Sequence, residues 1–330
     1  MERAHALRCD AMRMLFGYLL KSLHLLLQPS GPVSRSRSAA WILGLVWLSL
    51  LSGCAGYDQW SRTKVYRPTP VQGAQAWERL LAERPDVTSF SVVVPPGHQQ
   101  VAVLSVLASP GEVSPVRVLY LHGTFRHAFR NLPKTAAMHR AGLDVFLPDY
   151  RGWGISSVVL PSEASIDEDA MAVWQALRDE TSTSTGSPPR PVRWVIYGHS
   201  MGSAVAIKLA AKLKSQGENV VCGVVLESAL TSFSDVAYEA AGWPGRWLVA
   251  LGREKMRAID HIGDIPTPVW FLHGEFDKVI PMRLGRRLFN HAPEPKHWAE
   301  WPLEHSNLHT DPTGRYDQTW VDIKAACLAP

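Results

Sequence analysis

The sequence predicts an α/β fold in which a mostly parallel sheet of eight strands is flanked by helices, with a small cap insertion. Continuous apolar runs at 116–121 and 220–226 suit strands that are buried on both faces. Between such runs lie segments of helical period, among them 165–180, whose apolar side chains fall on one face. This alternation of strands and helices is typical of a parallel sheet.

An antiparallel hairpin is expected at the start of the sheet. Two apolar alternations, 87–94 and 101–107, are separated by a turn of Pro95, Pro96 and Gly97. Further strands are predicted at 144–147, 194–197, 269–272 and 297–301, and further helices at 75–83, 132–140, 203–213 and 280–290.

Residues 228–264 interrupt this alternation, and we interpret them as a small cap over the sheet. They contain Trp243, Trp247, Leu248 and Leu251, with a proline and a glycine between the tryptophans. The alternative is that these tryptophans belong to the core.

Composition excludes some classes of partner. The chain has 330 residues, 46% of them hydrophobic, as expected for a globular protein with a sizeable core. Its net charge of +4 comes wholly from the first 40 residues, which hold six basic and two acidic side chains. Because the charges of the remainder balance, we expect no nucleic-acid partner.

The N-terminal region has the pattern of a targeting sequence. A basic stretch at 34–37 precedes an apolar run at 39–51, which is too short to span a membrane. The run ends in Leu51-Ser52-Gly53-Cys54, which resembles the bacterial lipoprotein box, in which the cysteine is acylated after cleavage. An uncleaved signal anchor with an incidental cysteine is the alternative.

The lipoprotein resemblance implies an organisation and a location. Residues 1–53 would be leader and signal peptide, Cys54 the lipidation site, 54–73 a polar tether and 74–330 the folded domain. Since Ala55 is not the aspartate of inner-membrane retention, we expect the periplasmic face of the outer membrane in the bacterial cell envelope.

The other cysteines leave one question open. No Cys-x-x-Cys spacing occurs, so the common zinc and redox motifs are missing from the sequence. In an exported protein Cys222 and Cys327 could form a disulfide, although two buried free thiols are the commoner arrangement.

The pentapeptide Gly198-His199-Ser200-Met201-Gly202 is the pattern of a nucleophile elbow. A serine on a sharp strand-to-helix turn needs glycine two residues to either side, because side chains there would collide with neighbouring backbone. The strand-like run before it and the helix-like run after it supply the context that this turn requires. Ser200 is therefore the candidate nucleophile.

A serine hydroxyl needs a histidine base, which is in turn oriented by a carboxylate. In this architecture the acid follows a later strand, and Asp277 stands in the turn after 269–272. Glu275, in the tighter part of the same turn, is the fallback.

The base is expected after the last strand, from where a loop can reach across to the nucleophile. His305 stands there, in Pro302-Leu303-Glu304-His305. His309 is its near competitor, and His291 and His297 stand before or within that strand.

Two backbone N–H groups must stabilise the oxyanion that forms on the substrate. One should belong to Met201, the residue after the nucleophile. The other should come from the loop after 116–121, where we assign Thr124, with Phe125 as the alternative. His122 is expected to support this loop.

Taken together, these motifs resemble the α/β-hydrolases of the serine-hydrolase branch that includes lipases, esterases and acyl-protein thioesterases. The matching motifs, in order, are His122-Gly123, Leu147 to Ser156, the elbow at Gly198 to Gly202, Leu226-Glu227-Ser228, His273-Gly274 with Asp277, and His305. The resemblance implies hydrolysis of carboxylic esters or thioesters through an acyl-enzyme. It implies a small-molecule or lipid acyl ester as substrate and no cofactor, metal or obligate protein partner. The lipoprotein resemblance adds membrane attachment through the lipid anchor.

Two other functions are kept as alternatives. Similar sequences include serine aminopeptidases, which need acidic groups to hold the substrate amine, and Glu227 and Asp149 are the pair to test. A catalytically silent envelope protein that only binds is the alternative from another class.

Overall fold

In the part of the chain that the structure describes, eight strands form one sheet, in the order β1-β2-β4-β3-β5-β6-β7-β8. The strands are β1 (Val87–Val94), β2 (Gln99–Val106), β3 (Val116–Leu121), β4 (Asp144–Asp149), β5 (Arg193–His199), β6 (Val221–Glu227), β7 (Val269–Gly274) and β8 (Lys296–Trp301). β2 pairs antiparallel with β1 and β4, and all other pairs from β4 to β8 are parallel. The predicted fold class and hairpin are therefore confirmed.

The computed structural model describes residues 56–71, 73–109, 114–183 and 192–329. The predicted leader and signal peptide at 1–53 and the predicted lipidation site Cys54 lie outside the described residues. Within the described part of the chain, we find no helix that combines the length and the apolar character needed to cross a bilayer.

Helices cover both faces of the sheet. They are α1 (56–66), α2 (Ala74–Ala82), α3 (Ala128–Arg140), α4 (Glu163–Thr183), α5 (Met201–Ser215), α6 (Phe233–Leu251), α7 (Met282–His291) and α8 (Arg315–Leu328). Residues Tyr57–Pro330 form one compact unit that holds the whole sheet and both of its cores.

The side chains of the central strands alternate between these two cores. On β3, Leu119 and Leu121 pack into one core, while Val118 and Tyr120 pack into the other. This is the two-residue period of a strand, with apolar side chains on both faces because helices cover both. The continuous apolar runs in the sequence arise from this arrangement.

A disulfide joins the sheet to the last helix. Cys222 on β6 is bonded to Cys327 on α8 across 105 residues, and both side chains are buried. The question that the sequence leaves open is thus answered in favour of pairing. In the chain-entropy account, a loop of this length stabilises the fold by about 4 to 5 kcal/mol.

The tether expected at 54–73 is wrong for its described part. Residues 56–66 are helical, and the Tyr66 ring is fully buried beside Trp153 and Phe233. The Arg62 guanidinium donates to the Pro161 carbonyl at 2.7 Å. Aromatic side chains give this polar segment enough apolar surface to pack onto the domain.

The interruption at 228–264 consists mainly of α6, which follows β6 and is kinked at Ala241 and Gly242. Trp243 and Trp247 are exposed, so the alternative that places these tryptophans in the core is wrong. The structure puts α6 beyond the end of β6, on the edge of the sheet where the parallel strands end.

Candidate active site

Ser200 occupies a strained turn between β5 and α5. Its φ is 55°, in the left-handed region that residues other than glycine rarely adopt. Such strain persists where the surroundings enforce it, and it is concentrated at functional sites. The Ser200 N–H donates to the Glu227 carbonyl at 2.9 Å, which ties the turn to the end of β6.

The two glycines of the elbow are required by the packing around this turn. A Cβ atom at Gly198 would lie 2.3 Å from the Gly202 carbonyl oxygen. One at Gly202 would lie 2.0 Å from the carbonyl oxygen of Leu121, at the end of β3. Both distances are far below van der Waals contact with backbone, as the pattern in the sequence implies.

Asp277 and His305 are hydrogen bonded to each other. The His305 Nδ1 lies 2.8 Å from Asp277 Oδ2, and the other Asp277 oxygen accepts from the N–H groups of Val279 and Ile280 at 2.9 and 2.8 Å. Burial raises the pKa of Asp277, but the hydrogen bond and charge of His305 and the Ile280 N–H outweigh it, so the pKa is lowered. At neutral pH Asp277 is therefore a carboxylate.

The fallback residues lie elsewhere. The Glu275 side chain is exposed, and His309 stands on a short helical turn (Leu308–Thr310). His297 stacks on Trp270, and His291 is bonded to the Arg287 carbonyl at the end of α7. Of the predicted acids and bases, only Asp277 and His305 are brought together.

His199 and Ser228 hold the His305 segment beside Ser200. The His199 Nε2 lies 3.0 Å from the His305 carbonyl oxygen, and the Ser228 hydroxyl donates to the same oxygen at 3.2 Å. The His199 and His305 rings are 4.9 Å apart. Because His199 immediately precedes Ser200, these contacts place the His305 loop next to the elbow.

The protonation state of His199 follows from its burial. Desolvation, with the charges of Lys134 and His305, holds the pKa of His199 well below its ordinary value. The neutral ring donates from Nε2 to the His305 carbonyl. The sequence pattern alone predicts no role for His199 or Ser228, although both residues stand within its motifs.

Among the hydrogen bonds of the described residues, none joins Ser200 Oγ to His305. Bonds between nucleophile and base are often long in unliganded enzymes and shorten when substrate binds. The structure brings Ser200, His305 and Asp277 to one edge of the sheet, with the Asp277–His305 bond already formed.

The loop after β3 passes directly against Ser200. A Cβ atom at Gly123 would lie 3.0 Å from Ser200 Cβ and 3.1 Å from the His199 carbonyl oxygen. Thr124 and Phe125 follow in this loop, and Phe125 has a φ of 73°. Met201 is the first residue of α5, so its N–H has no acceptor within the helix. The predicted oxyanion donors thus belong to the two segments that flank Ser200.

The buried ring of His122 supports this loop through a hydrogen bond to its backbone. Its Nδ1 lies 2.6 Å from the Gly123 carbonyl oxygen, and its ring is completely buried beside Tyr150 and Trp153. Burial lowers the pKa of His122 to about 4, so the ring is neutral and Nδ1 donates to the carbonyl.

The two carboxyl groups considered for amine binding are already engaged. Glu227 accepts from the Lys134 ammonium at 3.1 Å and from the Tyr316 hydroxyl at 2.8 Å, and all three side chains are buried. Asp149 accepts from the Ala128 N–H at 2.5 Å, and burial raises its pKa to about 8. Neither group therefore offers an accessible, unpaired carboxylate to a substrate amine.

Elsewhere in the described chain, few groups are placed to react with a ligand or to bind a metal ion. A cavity of about 510 Å³ lies between β1 and α4, and among the described residues that line it Asp179 is the one titratable side chain. Within the described ranges, no three His, Cys, Asp or Glu side chains are grouped so that they could hold a metal ion.

Comparison with known proteins shows which family this chain resembles. The profile of the alpha/beta hydrolase family matches residues 118–329, which is more than half of the chain. The lysophosphatidylserine lipase ABHD12 of Danio rerio is 30% identical over 192 residues, covering 54% of this chain and 48% of that lipase. Protein bem46 of Schizosaccharomyces pombe is 29% identical over 230 residues, 69% of each chain. This chain thus spans about half the length of the zebrafish lipase.

Solved structures share the fold. An alpha-beta hydrolase from Vibrio vulnificus superposes with a TM-score of 0.64 at 18% identity, over 80% of this chain and 92% of the other. An esterase from Pyrococcus furiosus gives a TM-score of 0.59 at 17% identity, over 78% and 97%. At these identities the likeness concerns the fold alone.

Proposed function

This chain belongs to the alpha/beta hydrolase family, and we propose that it is a serine hydrolase acting on carboxylic esters or thioesters. Ser200 is the nucleophile, His305 the base and Asp277 the acid that orients it. The observation that carries this proposal is the 2.8 Å bond between His305 Nδ1 and Asp277 Oδ2. It fixes the proton on Nδ1 and leaves Nε2 free to accept one.

The reaction proceeds in two halves. His305 Nε2 takes the Ser200 proton while Oγ attacks the carbonyl carbon, and the N–H groups of Met201 and Thr124 stabilise the resulting oxyanion. His305 then gives that proton to the departing alcohol or thiol, which leaves an acyl group on Ser200. Water, deprotonated by His305, releases the acid in the same way. The helix dipole of α5 adds positive potential at the site of the developing charge.

The pairing of Glu227 and the burial of Asp149, the two candidate groups for binding a substrate amine, favour esters over aminoacyl amides as substrates. Glu227 is paired with Lys134, and Asp149 is buried with a pKa of about 8. An aminopeptidase needs an accessible carboxylate for the substrate amine, and neither group supplies one. The relative named a lysophosphatidylserine lipase supports an acyl ester, of a lipid or a small molecule, as the substrate class.

The test is hydrolysis of p-nitrophenyl esters of increasing acyl length. Ser200→Ala should lower kcat/KM by at least about 10⁴-fold, because removal of the nucleophile disables the whole catalytic unit. Ser215→Ala, which removes an exposed hydroxyl at the other end of α5, should leave activity unchanged. Full hydrolysis by Ser200→Ala would reject the mechanism.

We further propose that the protein is lipid-anchored through Cys54 on the periplasmic face of the outer membrane. The lipoprotein-like sequence before Cys54 supports this, and so does the Cys222–Cys327 disulfide, because disulfides persist in oxidising compartments. Expression in a bacterium fed an alkyne-bearing fatty acid should label the wild type and not Cys54→Ala. Equal labelling of both would contradict the proposed lipidation site.

A further inference from the structure

A group of large apolar side chains lies on the surface at one place in the domain. We call it the tryptophan face and define it as Trp60 on α1 with Trp243, Trp247, Leu248 and Leu251 on α6. Their exposed fractions are 47%, 60%, 65%, 45% and 76% in that order. Exposed apolar groups of this size mark contact sites for partners or membranes.

The kink in α6 comes immediately before these exposed side chains. Ala241 and Gly242 leave the helical region, and the helical segment that follows carries Trp243, Trp247 and Leu251. Trp243, Trp247 and Leu251 are four residues apart, so they fall on one stripe of that segment. A surface helix normally points such a stripe at the core, whereas here the stripe points at solvent.

Helix α1 extends the face. The Tyr57 hydroxyl donates to the Leu248 carbonyl, and a Cβ atom at Gly252 would touch Tyr57 and Ser61 at 3.7 and 3.6 Å. The Tyr57 and Trp60 rings lie 5.9 Å apart. The start of α1 is therefore packed on the end of α6, and Trp60 stands beside the stripe.

The face stands at the edge of the sheet that carries Ser200. Helix α6 begins a few residues after β6 ends, and Arg62 on α1 is bonded to Pro161 in the segment that follows β4. Because β4, β5 and β6 run parallel, their carboxyl ends share one edge.

Three features identify the occupant as a lipid surface. Cys54 stands three residues before Tyr57, a length of chain that spans at most about 11 Å, so an acyl group there would enter a bilayer close to the face. Lys64 and Arg253 are exposed one helical turn or less from Trp60 and Leu251, and they suit anionic headgroups. Tryptophan is also the side chain that favours the membrane interface.

We propose that the tryptophan face docks on the surface of an anionic phospholipid bilayer and holds the Ser200 edge of the sheet toward it. The argument for this occupant rests in part on the proposed anchor at Cys54, but the contact itself needs no anchor. The face is a second attachment, and it sets the orientation of the domain on the membrane.

The test uses residues 57–330, which contain the complete sheet and both cores, so no lipid or leader contributes. Vesicles of phosphatidylethanolamine and phosphatidylglycerol are mixed with this protein and separated by flotation. The protein should float with the vesicles, and Trp243→Ser/Trp247→Ser should weaken binding by at least about tenfold. Vesicles of phosphatidylcholine should bind less, because they lack the anionic headgroups.

Matched variants make the result decisive. Val321→Ser/Leu328→Ser removes two exposed apolar side chains from α8 and should bind vesicles like the parent protein. Ser200→Ala should also bind normally, which separates docking from the proposed reaction. Circular dichroism must show that each variant is folded.

Two outcomes would overturn the proposal. One is a folded parent protein that does not float, or that floats equally well after both tryptophans are replaced. The other is a parent that is dimeric by sedimentation velocity and becomes monomeric in Trp243→Ser/Trp247→Ser, without binding vesicles. In that case a second copy of the chain covers the face.

Discussion

The ion pair between Lys134 and Glu227 is buried, and its loss should destabilise the fold. The Lys134 Nζ and Glu227 Oε1 are 3.1 Å apart, and their side chains are 2% and 0% exposed. At an effective dielectric constant near 20, two unit charges at this distance attract by about 5 kcal/mol. Removing one partner of a buried pair leaves the other charge uncompensated, at a cost of about 3 to 5 kcal/mol.

We therefore expect Lys134→Met to lower the free energy of unfolding by about 3 to 5 kcal/mol, measured by urea denaturation at pH 7. The double variant Lys134→Met/Glu227→Gln should recover at least half of this loss, because the stranded carboxylate is then gone. Arg140→Met, at an exposed pair with Asp317, should cost about 1 kcal/mol or less.

A Lys134→Met variant whose free energy of unfolding stays within about 1 kcal/mol of the wild type would contradict this role of the ion pair. Simple addition of the effects of Lys134→Met and Glu227→Gln would contradict it too, since contacting partners must couple. Because the Glu227 carbonyl accepts the Ser200 N–H, the destabilised variant should lose activity as well.

Three further predictions concern the site and its support. Asp277→Asn should lower kcat by about 10³- to 10⁴-fold with little change in stability, because the base then adopts the wrong tautomer; a loss below tenfold would exclude this role. Gly123→Ala should lower kcat/KM by at least about tenfold, because its Cβ would lie 3.0 Å from Ser200 Cβ. Unchanged kinetics would contradict this, since the loop after β3 would then move to accommodate the methyl group. The pKa of Asp149 is raised by burial from 3.8 to about 8, so the folded state keeps a proton that the unfolded chain releases. Stability contributed by this group is thus complete below pH 4 and falls as pH rises to about 8, by at most about 1.4 kcal/mol per unit. Asp149→Asn should flatten that slope in urea denaturation between pH 5 and 8, and parallel slopes would contradict the raised pKa.

Sequence reasoning predicted those features that depend on local sterics and on strand order. The elbow could be predicted because a Cβ atom at Gly198 or Gly202 would collide with backbone atoms of the elbow itself or of the neighbouring strand β3. These collisions require glycine at both positions. Asp277 and His305 are recognisable because each follows the end of a late strand, and the parallel arrangement brings those ends to one edge.

Features that depend on packing between residues far apart in the sequence could not be predicted. A lysine such as Lys134 is normally exposed, and only the approach of α3 to β6 explains its burial against Glu227. The contact from His199 to the His305 carbonyl depends on how the loop after β8 folds back. The packing of Tyr66 on Trp153 turned an expected tether into a docked helix, because aromatic contacts between distant segments have no local pattern.

The claim that Ser200 is the nucleophile is tested most directly by covalent labelling with a fluorophosphonate, followed by mass spectrometry of the intact protein and of its peptides. We predict one adduct per chain, on Ser200, no adduct on Ser200→Ala, and slower labelling of Asp277→Asn. An adduct on another residue, or labelling of Ser200→Ala at the wild-type rate, would contradict the mechanism.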